Sequence, residues 1–81
     1  MNPTAQPPTR LELAFHGHFP RTLRDTRLAH RFDLRDMASQ VGVAPKTYDD
    51  WECGKNLPDT NYLTIICRVL GVSADYLLGQ A

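Results

Sequence analysis

An excess of charge of either sign is missing from this sequence. Nine Lys and Arg offset nine Asp and Glu over 81 residues, so the formal net charge is zero. That excludes a chain that holds polyanions by bulk charge alone. Long apolar runs are also missing, and with them any membrane-spanning helix. The N-terminus lacks the apolar core of a signal peptide, so a cytoplasmic location is expected. Cysteine is scarce. Cys53 and Cys67 make no disulfide framework, and reduced thiols are expected. No Gly-rich phosphate loop, Ser/His/Asp arrangement or metal-ligand cluster is visible, so neither an enzyme nor a cofactor is expected. His16-Gly17-His18 resembles a metal pair, but no Cys, Asp or Glu joins it at ligand spacing, and Gly17 more simply marks a turn.

The length allows one domain. A core this small favours compact helices or oligomerisation. The charge that is present is unevenly spread. Residues 1–32 hold five Arg against Glu12 and Asp25, a balance of +3. Residues 33–59 hold Arg35, Lys46 and Lys55 against Asp33, Asp36, Asp49, Asp50, Glu52 and Asp59, a balance of −3.

The most informative stretch is residues 33–58, DLRDMASQVGVAPKTYDDWECGKNLP. Met37, Ala38 and Val41 fall at helical spacing. Gly42 interrupts, Val43 follows, and helical spacing resumes from Tyr48 to Trp51. Gly42 stands where a helix stops and the chain turns sharply, a position that often needs positive φ. Two short helices joined by such a turn form a helix-turn-helix, with the second helix presented outward on the first.

The chain resembles the Cro and phage-repressor family of helix-turn-helix proteins, the xenobiotic-response-element-type regulators. The resemblance spans residues 19–79. It rests on Leu23-Arg24 with Arg27, Met37-Ala38, Gly42-Val43, Trp51-Glu52, Gly54-Lys55, Pro58, Leu70-Gly71-Val72-Ser73 and Asp75-Tyr76-Leu77-Leu78, in that order and spacing. It implies an all-α, five-helix, lambda-repressor-like DNA-binding domain at residues 19–81. Residues 1–18 are expected to form a flexible arm, uncharged and rich in proline as far as Thr9. Leu11, Leu13 and Phe15 alternate within it, as a short strand would or as a flexible leader would by chance.

The first helix is predicted at residues 20–31, opened by Pro20, with Leu23, Thr26 or Arg27, and Leu28 or Arg31 on one face. The second is predicted at residues 34–41, capped by Asp33. The third is predicted at residues 45–53, where Pro45 at the first position partly makes up for the missing cap at Ala44. Asp59 or Thr60 caps the fourth, whose inner face is Leu63, Ile66, Cys67 and Leu70, and Gly71 closes it. Ser73 caps the last, at residues 74–78.

In the family, outward positions of the third helix reach base edges, which here are Pro45, Lys46, Asp49 and Asp50. Lys46 can donate to guanine O6 or N7, and Asp49 or Asp50 can accept from a cytosine N4 amine. The competing reading is a solvated face with a Lys46–Asp50 pair at i, i+4. The resemblance places phosphate contacts at Lys55 and Asn56, in the loop after the third helix. Arg21 or Arg24 in the first helix is a further candidate, the competing reading being a solvated basic face. Leu34 stands where the family commonly has a DNA-contacting Gln, and Asp33 tends to repel phosphate there; Arg35 is the substitute contact. The resemblance also implies an ion pair of Arg27 with Glu52 under the recognition surface.

Two functions follow as expectations. The first is a DNA-binding repressor of phage, prophage or plasmid type. It would bind double-stranded DNA as a homodimer; Tyr76, Leu77 and Leu78 of the last helix either serve the dimer contact or all belong to the monomer core. The second is a protein-interaction module or anti-repressor on the same fold, with another regulatory protein as partner. The acidic outer face, Leu34 and the zero net charge favour the second.

Overall fold

The sharp turn at Gly42 sets the arrangement of the whole chain. In a computed structural model, which describes residues 17–80, Gly42 takes φ 90°, and its N–H donates to the Ala38 carbonyl at 2.8 Å. Only glycine adopts that left-handed backbone at little cost. Before it runs α2 (Leu34–Val41) and after it α3 (Pro45–Glu52). The two pack against each other, and α3 also rests on α1 (Phe19–Ala29). Below them, α4 (Thr60–Leu70) supports α2, and α5 (Ala74–Leu78) packs on both α1 and α4. The described residues are all helical or loop, with no strand. This is the five-helix lambda-repressor-like fold expected above. The alternating segment at residues 10–15 and most of the arm lie outside the described residues.

Each helix buries one face. On α1 these are Phe19, Pro20, Leu23, Thr26 and Arg27, spaced as neighbouring turns require. Met37, Ala38 and Val41 come from α2, Tyr48 and Trp51 from α3, Ile66 and Leu70 from α4, and Leu77 from α5. Together with Phe19 and Leu23 these apolar side chains form one core. Val43, Leu63 and Cys67 are half-buried at its edge.

The first helix is shorter than its sequence implies. It stops at Ala29, not at residue 31, and Leu28 is 54% exposed. Arg31 takes φ 61°, a left-handed conformation that costs a non-glycine residue about 1–2 kcal/mol. The Phe32 N–H bonds to the Arg27 carbonyl, and the Arg31 N–H to that of Leu28. This is a Schellman closure with Arg in the usual glycine position. The Arg27 guanidinium supports it by donating to the Phe32 carbonyl at 2.8 Å. Without a glycine at 31 the sequence carries no sign of this stop.

Asp33 caps α2 through its Oδ1, which accepts from the Asp36 N–H at 2.7 Å. The Asp36 carboxylate accepts in return from the Asp33 N–H at 3.4 Å. Two aspartates thus form a reciprocal box usually built from Ser or Thr with Glu or Gln. Asp33→Ala should lower stability by about 1 kcal/mol, read as a lower urea midpoint with an unchanged slope. An unchanged midpoint would show that solvent serves the α2 amino end equally well.

No side chain caps α3 at Ala44, and Pro45 opens it. Asp59 is the cap of α4, accepting from the Tyr62 N–H at 3.0 Å. Ser73 accepts from the Tyr76 N–H at 3.0 Å and caps α5. At the far end of α5, Gly79 lies against the His18 ring, where an added Cβ would come within 2.9 Å of it.

Candidate nucleic-acid interface

Tyr48 and Trp51 fix which side of α3 faces out. Tyr48 is fully buried and Trp51 is 4% exposed, with their rings edge to face at a centroid distance of 5.9 Å. The opposite side therefore presents Pro45 and Lys46, both exposed, and Asp49 and Asp50, both half-buried. The helix is anchored from beneath. Arg27 Nε donates to Glu52 Oε2 at 2.7 Å and Nη2 donates to Oε1 at 3.0 Å. Both side chains are nearly buried, at 8% and 5% exposure. This bidentate pair ties the end of α3 to α1. The hydrogen bond to Glu52 holds the Arg27 guanidinium above its ordinary pKa. The Tyr48 hydroxyl is buried beside this pair and makes no hydrogen bond among the described residues. Burial first, and then the Glu52 carboxylate, push its pKa well up, so it stays protonated.

On the outer side, Lys46 Nζ donates to Asp50 Oδ1 at 2.7 Å, one turn apart. The bond to Asp50 raises the Lys46 pKa, and the bond from Lys46 lowers that of Asp50. Both are therefore charged at neutral pH. The following loop closes onto the same residue. The Asp50 carbonyl accepts from the N–H groups of Lys55 at 2.9 Å and Asn56 at 3.4 Å. Asn56 Nδ2 reaches Asp50 Oδ2 at 3.5 Å. Gly54, at φ 78°, lets the chain leave α3 and curl back this way.

The structure thus gathers Lys46, Asp50, Lys55 and Asn56 into one cluster. It does not join Arg24 or Arg35 to that cluster by any hydrogen bond or ion pair among the described residues. Both are exposed, Arg24 on α1 and Arg35 in the first turn of α2. Leu34 is half-buried and packs on the core. The i, i+4 spacing signals the Lys46–Asp50 pair. Nothing in the sequence signals that Asn56 and the loop backbone share that aspartate. Of the histidine pair, His16 lies outside the described residues. The two cysteines differ in setting: Cys53 is exposed, whereas burial of Cys67 pushes its thiol pKa up.

No helix among the described residues is long and apolar enough to cross a membrane. The helix-turn-helix family model matches residues 23–77, and the chain belongs to this Cro and phage-repressor type of family. The family is one of DNA-binding regulators and is not an enzyme class. Among similar proteins is the uncharacterized HTH-type transcriptional regulator YobD of Bacillus subtilis (strain 168), 35% identical over 57 residues, covering 70% of this chain and 51% of the relative. The SPbeta prophage-derived uncharacterized HTH-type transcriptional regulator YonR of the same organism is 35% identical over 60 residues, covering 74% and 56%. A third, the uncharacterized HTH-type transcriptional regulator YqaE, also from that organism, is 33% identical over 60 residues, covering 74% and 52%. The chain spans about half the length of these curated relatives. No solved structure matches it.

Proposed function

We propose that this chain is a sequence-specific DNA-binding domain of a transcriptional repressor, of the kind phages, prophages and plasmids carry. It acts in the cytoplasm. Its mechanism is occlusion of a promoter by a homodimer, with one α3 in each of two major-groove half-sites roughly 34–36 Å apart. The observation that carries this reading is the outward face of α3, held rigidly by Tyr48, Trp51 and the Arg27–Glu52 pair. Pro45, Lys46, Asp49 and Asp50 are the base-reading residues. Lys55 and Asn56, with Arg24 and Arg35 on the flanks, meet phosphates. Tyr76, 49% exposed on α5, supports a dimer contact there.

A second reading has one observation in its favour. Lys46 is already paired, and the rest of the α3 face is acidic. That suits a protein-interaction module or anti-repressor which keeps the scaffold and binds another regulatory protein.

Salt separates the two. Selection from a random duplex pool should enrich a two-fold-symmetric site, and affinity for it should fall steeply with salt. Lys46→Ala should lose selectivity by about 1–3 kcal/mol at one base pair per half-site. Lys55→Ala should weaken all duplexes alike and reduce the salt slope by about one. A folded protein that enriches no duplex, with binding to a protein partner flat against salt, would sink the DNA reading in favour of the module.

A further inference from the structure

Three residues assigned to DNA contact converge on Asp50. Lys46 Nζ and Asn56 Nδ2 each hold one oxygen of Asp50, at 2.7 and 3.5 Å. The Lys55 and Asn56 N–H groups bind its backbone carbonyl. The charge of Lys55 also acts on the carboxylate. Asp50 stands on the outer side of α3, yet its side chain is only 17% exposed, because these partners fold over it. Lys46 remains 70% exposed and can reach a ligand without leaving its partner.

This arrangement treats two DNA ligands differently. A backbone phosphate brings only acceptors and a negative charge. To take Lys46 it must approach Asp50 against like-charge repulsion, or displace the carboxylate from its donors. A G·C pair brings both kinds of group to the major groove: guanine O6 and N7 accept, and the cytosine N4 amine donates. An ammonium has three donors, so Lys46 can keep Asp50 on one and give another to guanine. Asp50 then gains the cytosine amine.

Resting on the DNA-binding reading above, we propose that Asp50 is a specificity-determining residue. It acts as an internal anion that occupies Lys46 and Asn56 in place of a phosphate, so that non-matching DNA binds weakly and a G·C pair at the Lys46–Asp50 couple is favoured. The acidic character of the recognition face is then part of how the domain chooses a site.

The test compares the wild type, Asp50→Asn, Asp50→Glu, Lys46→Ala and the Lys46→Ala/Asp50→Asn double variant. Each is titrated with the duplex selected by the wild type and with a non-matching duplex of equal length, across a salt series. Thermal melting checks that each variant is folded. Asp50→Asn removes the charge at nearly constant shape. It should bind the non-matching duplex roughly tenfold more tightly near 0.1 M salt, with a slope steeper by about one counterion. It should gain nothing at the selected site, so the ratio of the two affinities falls by about tenfold or more. Asp50→Glu, which keeps the charge, should keep most of the ratio. The gain on non-matching DNA should shrink in the Lys46→Ala background, because the restraint acts through that ammonium.

An unchanged ratio in Asp50→Asn, with the wild type still selective, would overturn the proposal and leave the DNA reading standing. Equal weakening on both duplexes would reduce Asp50 to a structural role and overturn it too. If the wild type selects no duplex at all, the proposal falls together with the reading on which it rests.

Discussion

Arg27→Ala should cost about 3–5 kcal/mol, most or all of the stability a core of this size provides. The loss comes from three places at once. The guanidinium supplies two hydrogen bonds to Glu52 and one to the Phe32 carbonyl. Its removal leaves the Glu52 carboxylate nearly buried and without its cation. It also removes the support for the left-handed turn at Arg31. Each kcal/mol in a domain this small shifts the melting temperature by roughly 4–8 °C, so a circular-dichroism melt should drop by about 12 °C or more. Glu52→Gln should also lower the melt, by less, since the amide still accepts a hydrogen bond. The effect should not vary with pH in the usual range. The hydrogen bond to Glu52 raises the Arg27 pKa in the folded state, so the guanidinium stays charged at neutral and mildly alkaline pH and loses its charge only as pH rises through that raised value. If Glu52→Gln melts like the wild type, the pair does not hold α3 in place. Replacing both partners by apolar residues, as in Arg27→Met with Glu52→Leu, should recover much of the loss, because no charge is then left buried.

Trp51→Ala should be comparably severe. The ring sits edge to face with Tyr48 and tilted against Tyr62, at a centroid distance of 5.5 Å from the latter. It therefore joins α3 to α4 through Tyr62. Removing so large a buried side chain costs about 3–5 kcal/mol in transfer free energy and cavity together. The variant should lose a cooperative transition and give poorly dispersed NMR amide signals. Trp51→Phe, which keeps a ring in the same place, should retain a cooperative melt at lower temperature. A folded Trp51→Ala protein with native dispersion would mean that α4 closes over the cavity. Because Trp51 is the only tryptophan, stability of these variants must be followed by circular dichroism and not by tryptophan fluorescence.

Much of this scaffold was legible in the sequence because its signals are local. The caps Asp33 and Ser73 and the stop at Gly42 are read from residue type at the right place, the choice between Asp59 and Thr60 is settled by the structure for Asp59, and helices at 34–41 and 74–78 start and end where expected. The α1 boundary was not legible, because the turn after Ala29 is held by a side chain and not by a glycine. Spacing also left Thr26 or Arg27, and Leu28 or Arg31, undecided; packing resolves them, burying Thr26 and Arg27 and leaving Leu28 exposed. On the outer face, spacing offered a Lys46–Asp50 pair as a competitor to base reading. The Lys46–Asp50 bond is present, and the loop closes over it. Gly54 signals that α3 ends there, but no single residue signals that the loop beyond it folds back onto Asp50. Arg27 and Glu52 are 25 residues apart, and no periodicity links them; only the resemblance suggested that they meet.

The contact of the His18 ring with Gly79 gives the domain a single doorway. The first and last described helices lie together, so the polypeptide enters and leaves at one pole. Any segment attached ahead of Gly17 and any segment attached beyond Gln80 would begin side by side, however different their lengths. A force that separates the two ends would load the α1–α5 contact before it reached α3. Because α3 also rests on α1, such a load would pass to α3 through α1.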